Sequence, residues 1–205
     1  MFLLFFTTMK TVWKSLLLAA ALVVAVLSVT FATEFPDKST FPKGWGGGGK
    51  GYEFQVDNQI TRSGKASATI KFVGPESDFG SLTQGIDASN YLGKRVRWSG
   101  YIKTSNAGKA SLWMRVDGKE KMSVLAFDNM QDGREIVGTQ EWKKCEVVLD
   151  VSTEAKSVYF GIILGGKGQL WADDLKLEIV SKDVPVTDLN LKKAPTEPQN
   201  LDFEN

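Results

Sequence analysis

From Tyr52 to Val180 apolar and polar residues alternate with a period of two, and no stretch after residue 32 sustains a helical repeat. The pattern is clearest between Gly93 and Met130. Val96, Trp98 and Ile102 fall on one side of a strand; Arg97, Tyr101 and Lys103 fall on the other. Further on, Ala110, Leu112, Met114 and Val116 alternate with Ser111, Trp113, Arg115 and Asp117. One face of each strand must be core. The other carries aromatic rings beside guanidinium groups. Tight turns between the segments predict three successive antiparallel strands. If the first two pair, Arg97, Tyr101, Trp113 and Arg115 share one exposed surface, with Asp117 and Asn129 beside it.

The remaining segments fit the same class. Tyr52–Val56, Ala66–Phe72, Ser81–Ile86, Lys143–Val151, Val158–Leu164 and Gln169–Val180 read as short strands. Val158–Leu164 is apolar throughout and reads as central. A helical turn is expected near Ala88–Asn90. The run Gly44–Gly49 around Trp45 reads as loop, with Trp45 as a lid over the core edge. The expected fold is all-β: an antiparallel sandwich or barrel.

Lys10 and Lys14 precede an uncharged apolar run, Leu16–Phe31, that ends in small residues around Ala32. Residues 1–32 therefore read as a secretory signal peptide, with 1–8 an upstream extension and Met9 the more natural start. An uncleaved membrane anchor is the alternative, although the run is shorter than the roughly 20 residues that span comfortably. The expected organisation is signal peptide 1–32, sandwich 33–180, and a proline-containing linker or tail over 181–205. The expected location is secreted or periplasmic.

The totals exclude much chemistry. Histidine is absent, which removes Ser-His-Asp and Cys-His catalysis and every His-ligated metal. The single cysteine, Cys145, permits no intrachain disulfide; it alternates with Val147 and Leu149 and reads as a buried thiol. A net charge of +1 gives no field that would recruit nucleic acid. Carboxylates remain, but no motif selects the pair a glycosidase needs, and no enzymatic activity is expected.

Four stretches carry a resemblance. They are Arg97-Trp98-Ser99-Gly100-Tyr101, Leu112-Trp113-Met114-Arg115-Val116-Asp117, Phe127-Asp128-Asn129-Met130, and Gly168-Gln169-Leu170-Trp171-Ala172-Asp173-Asp174. Together they resemble a bacterial extracytoplasmic module of galactose-binding-like jelly-roll fold, similar to the carbohydrate-binding modules that accompany glycoside hydrolases. The resemblance covers about Trp45 to Val180. It implies a carbohydrate or other polar ligand, with Tyr101 and Trp113 stacking on sugar rings and Arg97, Arg115, Asp117 and Asn129 bonding hydroxyls. Phe127 and Asn129 are the weaker candidates, and an inward turn of Asp128 that caps the loop is the alternative there.

The resemblance also implies that Asp173 and Asp174 can hold calcium, joined by an N-terminal partner near Glu34 or Asp37. Loop-end carboxylates that bond backbone amides are the alternative. Pro198–Glu204 looks like the opening strand of a second module, which would make the chain one part of a longer protein. A structural, sensing or protein-interaction module, with a neighbouring protein domain as partner, is the competing reading.

Overall fold

The computed structural model describes residues 41–74, 78–189 and 201. The expected signal segment, Glu34, Asp37 and the Pro198–Glu204 motif lie outside them, apart from Leu201. Among the described residues no helix is long and apolar enough to cross a membrane.

The strands are β1 (Gly46–Gly48), β2 (Tyr52–Asp57), β3 (Ser67–Phe72), β4 (Phe79–Asp87), β5 (Arg95–Gly118), β6 (Val124–Asp128), β7 (Ile136–Asp150), β8 (Ala155–Gly165) and β9 (Gln169–Val180). All pairings are antiparallel. A 3-10 turn at Ser89–Tyr91 matches the expected helical turn. The fold is an antiparallel β-sandwich.

The long strand β5 organises the sandwich. The sequence reading puts a turn near Ser105–Gly108 and pairs the two halves of this stretch with each other. The structure differs: 24 residues run as one strand. The first half, Arg95–Ser105, pairs with β7 on one side and β9 on the other. The second half, Lys109–Gly118, pairs with β8 and β6. The chain thus passes from one leaf, β2-β3-β9-β5-β7, into the other, β1-β4-β8-β5-β6. Asn106 takes φ 50° at the crossing, and the register with β7 shifts between Thr104 and Ala110. Bulges bend a strand and increase its twist, and here they perform the transfer that a hairpin turn was expected to make.

The core follows the alternation. Val96, Trp98 and Ile102 from the first half and Leu112, Met114 and Val116 from the second are buried. They pack with Phe160, Ile162 and Leu164 of β8 and Val147 and Leu149 of β7. Each such aliphatic side chain removed from water is worth about 1.5–3 kcal/mol. The Trp98 indole donates to the Gly161 carbonyl at 3.0 Å, which satisfies its N–H inside the core. Trp45 is the expected lid: it packs on Trp98 and Phe160 with ring centroids 6.2 and 6.4 Å away.

Two further expectations need correction. The glycine run is not wholly loop, because Gly46–Gly48 pair with Ser81–Thr83; a ladder is made by backbone groups and needs no side chains. The stretch read as a patternless connection before Trp142 holds the start of β7, which begins at Ile136. Its alternation is hidden because both faces are largely exposed there. Residues 181–189 belong to the stretch read as linker or tail. They lie on the sandwich and make hydrogen bonds to β5, β6 and β7.

Candidate functional site: a groove on the outer face of one leaf

Because β5 changes leaves, its two outward-facing sets part company. Trp113, Arg115 and Asp117 stand on the outer face of the β8-β5-β6 leaf. Arg97 and Tyr101 stand on the outer face of the other. The single surface expected from sequence does not exist.

The Trp113 side of the sandwich carries a groove of about 580 Å³. Its lining includes Trp113, Arg115, Phe127 and Asn129, with Ser81 and Thr83 of β4 and Ile163 of β8. Trp113 is aligned with Gly161 on β8, which is aligned with Thr83 on β4. The Trp113 indole donates to Ser81 Oγ at 3.2 Å. Reaching Ser81 from β5 means crossing β8, and strands are about 4.8 Å apart. The ring therefore lies along the sheet, over Gly161. A Cβ at Gly161 would sit 2.8 Å from Trp113 Nε1 and 2.1 Å from the Leu82 carbonyl oxygen. Glycine there is the seat for the ring.

The same device recurs one pair along. Arg115 is aligned with Tyr159, and Tyr159 with Gly85. A Cβ at Gly85 would lie 2.6 Å from the Tyr159 ring. Arg115 sits over that ring, 5.3 Å from its centroid. It also makes a two-pronged contact with Asp117, with both N···O distances 2.8 Å. This fixes the guanidinium plane at the groove edge. Tyr159 was missed in the sequence because its strand reads as wholly buried. The available signal was the glycine two residues away, Gly161, in an otherwise bulky run.

The groove continues past Arg115 and Phe127 toward Val124 and Leu125 on β6. Asn129 contributes to the groove wall, and its Oδ1 is buried with no hydrogen-bond partner among the described residues. Asp128 turns inward, the alternative reading from sequence. It is fully buried, and its Oδ1 accepts from the Met130 amide at 2.8 Å and from the Arg134 guanidinium.

The other leaf's outer face is internally paired. Arg97 donates to Glu178 at 2.7 Å and lies 3.7 Å from Glu146. Lys176 and Arg97 together hold the Glu178 carboxyl below its ordinary range. Tyr101 is covered by the Arg62 guanidinium, 3.5 Å from the ring centroid. Arg97 and Tyr101 are thus spent on neighbours of their own face.

Asp173 and Asp174 hold a turn. Asp173 Oδ2 accepts from the backbone amides of Arg62 and Ser63, at 2.7 and 3.1 Å. Asp174 accepts from the Ser63 hydroxyl and the Arg62 guanidinium. The Ser63 hydroxyl, more than Arg62, holds the Asp174 carboxyl below its ordinary range. The two carboxylates face donors, which is the alternative reading from sequence. Among the described residues no group of three acidic or sulfur ligands is arranged around a cation position. Trp171, just upstream, is buried and donates to Asp57 at 2.8 Å.

No protein-family model matches the chain. It is 41% identical over 157 residues to YbfP of Bacillus subtilis, an uncharacterized HTH-type transcriptional regulator. The match takes in 75% of this chain and 52% of YbfP, so the chain spans about half the length of that relative. Among solved structures it is similar to the CBM22-1 xylan-binding domain from Paenibacillus barcinonensis, with TM-score 0.52 and 17% identity over 70% of this chain and 90% of that one. A CBM22 tandem from the same organism gives TM-score 0.54 at 15% identity, covering 70% of this chain and 44% of that one. The enzymatically active domain of bacteriophage CBA120 tailspike protein 4 gives 0.51 at 11%, covering 73% and 21%. At these identities the likeness is one of fold, and the chain has the jelly-roll sandwich fold of carbohydrate-binding modules.

Proposed function

We propose that the groove over Gly161 is a carbohydrate-binding site and that the module binds without chemistry. The observation that carries this is the Trp113 ring, laid along the sheet and fixed by Ser81 at the floor of an open groove. A flat, anchored aromatic plane suits the apolar face of a sugar ring. Arg115, held in plane by Asp117, and Asn129 supply hydrogen-bonding groups at the walls. The xylan-binding domains that share the fold make xylan the first polysaccharide to try. In native affinity gels, xylan or another soluble β-glycan in a panel should retard the wild-type chain. Trp113→Ala and Arg115→Ala should migrate freely, whereas Arg97→Ala on the far leaf should stay retarded. Retardation that survives both groove substitutions would remove the site.

The likeness to YbfP favours a second reading of the same groove. In a relative that is named as a transcriptional regulator and of which the match takes in 52%, a sugar-binding sandwich would be the sensing half. Export through residues 1–32 belongs to the first reading. Mass spectrometry of the mature N-terminus, with cell fractionation, separates the two: cleavage near Ala32 fits an exported module, and an intact cytoplasmic chain fits the sensor.

A further inference from the structure

The stretch that follows β9 closes the open side of the sandwich. Arg95 donates to the carbonyls of Lys182 and Val184, both at 2.5 Å, and its other edge grips Asp150. Thr187 then brackets Val148 of β7. Its amide donates to the Val148 carbonyl at 2.9 Å, and its hydroxyl accepts from the Val148 amide at 2.9 Å. One residue later, Asp188 Oδ1 accepts from the Phe127 amide at 3.1 Å. Val148 belongs to one leaf and Phe127 to the other. The segment therefore ties the free edges of both leaves together.

Phe127 is also part of the groove wall. Its strand, β6, is five residues long and among the described residues pairs only with β5, in a ladder whose register shifts between Val116 and Asp117 of β5. A short edge strand with one neighbour is held weakly by its own ladder. We infer that residues 181–189 are a strap that positions the groove, with Asp188 as the positioning residue for the Phe127 wall. This rests on the groove being the binding site. By linkage, a ligand that needs this wall in place tightens the strap as much as the strap tightens the ligand. Occupancy is thereby readable at residues 181–189.

The test uses the full chain. Amide exchange at Phe127 should speed up about tenfold in Asp188→Ala, in line with the loss of one hydrogen bond. Asp188→Asn keeps an acceptor and should restore protection. Exchange at Val148 should respond to Thr187→Ala and not to Asp188→Ala. With xylan in the gel, Asp188→Ala should lose several-fold in retardation while its thermal midpoint stays near wild type, and Asp188→Asn should recover it. Unchanged exchange at Phe127 in Asp188→Ala overturns the strap. Faster exchange with full retardation overturns the positioning role. If no polysaccharide retards the wild type, the sugar reading fails, and exchange at Phe127 still decides whether the strap exists.

Discussion

Trp113 and Ser81 are joined across an intervening strand by a 3.2 Å hydrogen bond that passes over Gly161. The hydroxyl fixes where the ring lies, and the partly exposed ring is what the groove presents. Ser81→Ala should cost about 1 kcal/mol in urea unfolding, the net worth of one such bond. It should also shift tryptophan emission on addition of a retarding polysaccharide less than wild type does. A variant that binds and emits like wild type would mean the ring needs no anchor.

Gly161 leaves no room for a side chain. A methyl group there would meet the Leu82 carbonyl oxygen and displace the indole. Gly161→Ala should destabilise by about 1–3 kcal/mol, the usual range for overpacking. It should also abolish retardation even where the protein stays folded. Circular dichroism melts paired with affinity gels would check both halves.

Asp128 and Arg134 form a pair in which the carboxylate is wholly buried and the guanidinium is partly exposed. Removing the cation leaves a buried charge with little compensation. Arg134→Met should therefore cost about 3 kcal/mol. The double variant Asp128→Leu/Arg134→Met should cost less than the sum of the singles. What remains would be roughly the 1 kcal/mol of the lost bond to the Met130 amide. Additive costs in a double-mutant cycle would show that the two do not act as a pair.

Burial pushes the Cys145 thiol up to about 11. Thiolate is the reactive form, so native protein at neutral pH should react with a thiol reagent orders of magnitude more slowly than urea-unfolded protein. Equal rates in the two states would place the thiol in contact with solvent.

The alternation of Val96, Trp98 and Ile102 against Arg97 and Tyr101 was legible in the sequence, and so was the resulting all-β class. The burial of Cys145 was legible too, and the inward turn of Asp128 was one of two readings its position allowed. The surface joining Tyr101 to Trp113 was not. Both halves of β5 alternate perfectly, and period two says which residues share a face of a strand but not which leaf that strand joins. The deciding information sits in Asn106 and the bulges around it, which look like turn chemistry. Tyr159 was hidden for a related reason. An apolar outer face beneath aromatic rings reads as a strand covered on both sides. The paired carboxylates Asp173 and Asp174 were visible, but Arg62, their cation, lies 111 and 112 residues away in the chain.

Acid should loosen the strap before it unfolds the sandwich. Asp150 holds Arg95 through two hydrogen bonds and accepts a third from Lys182. Arg95 in turn holds the carbonyls of Lys182 and Val184. The Arg95 guanidinium, followed by Lys182, outweighs burial and lowers the Asp150 carboxyl from 3.8 to about 2. A carboxyl whose folded value lies below its unfolded one adds stability that is fully present above the unfolded value. That stability is lost as pH falls through the folded value. The window here runs from about pH 4 down to about pH 2. With the Asp150 side chain 46% exposed, solvent screening leaves about 1 kcal/mol of the full shift. Wild type should therefore lose its advantage over Asp150→Asn between about pH 4 and about pH 2 in urea unfolding. Protection of the Val148 and Phe127 amides, taken relative to the intrinsic exchange rate at each pH, should fall over the same window in wild type and already be lowered in the variant. Parallel pH profiles for the two proteins would show that the carboxylate does not hold the strap.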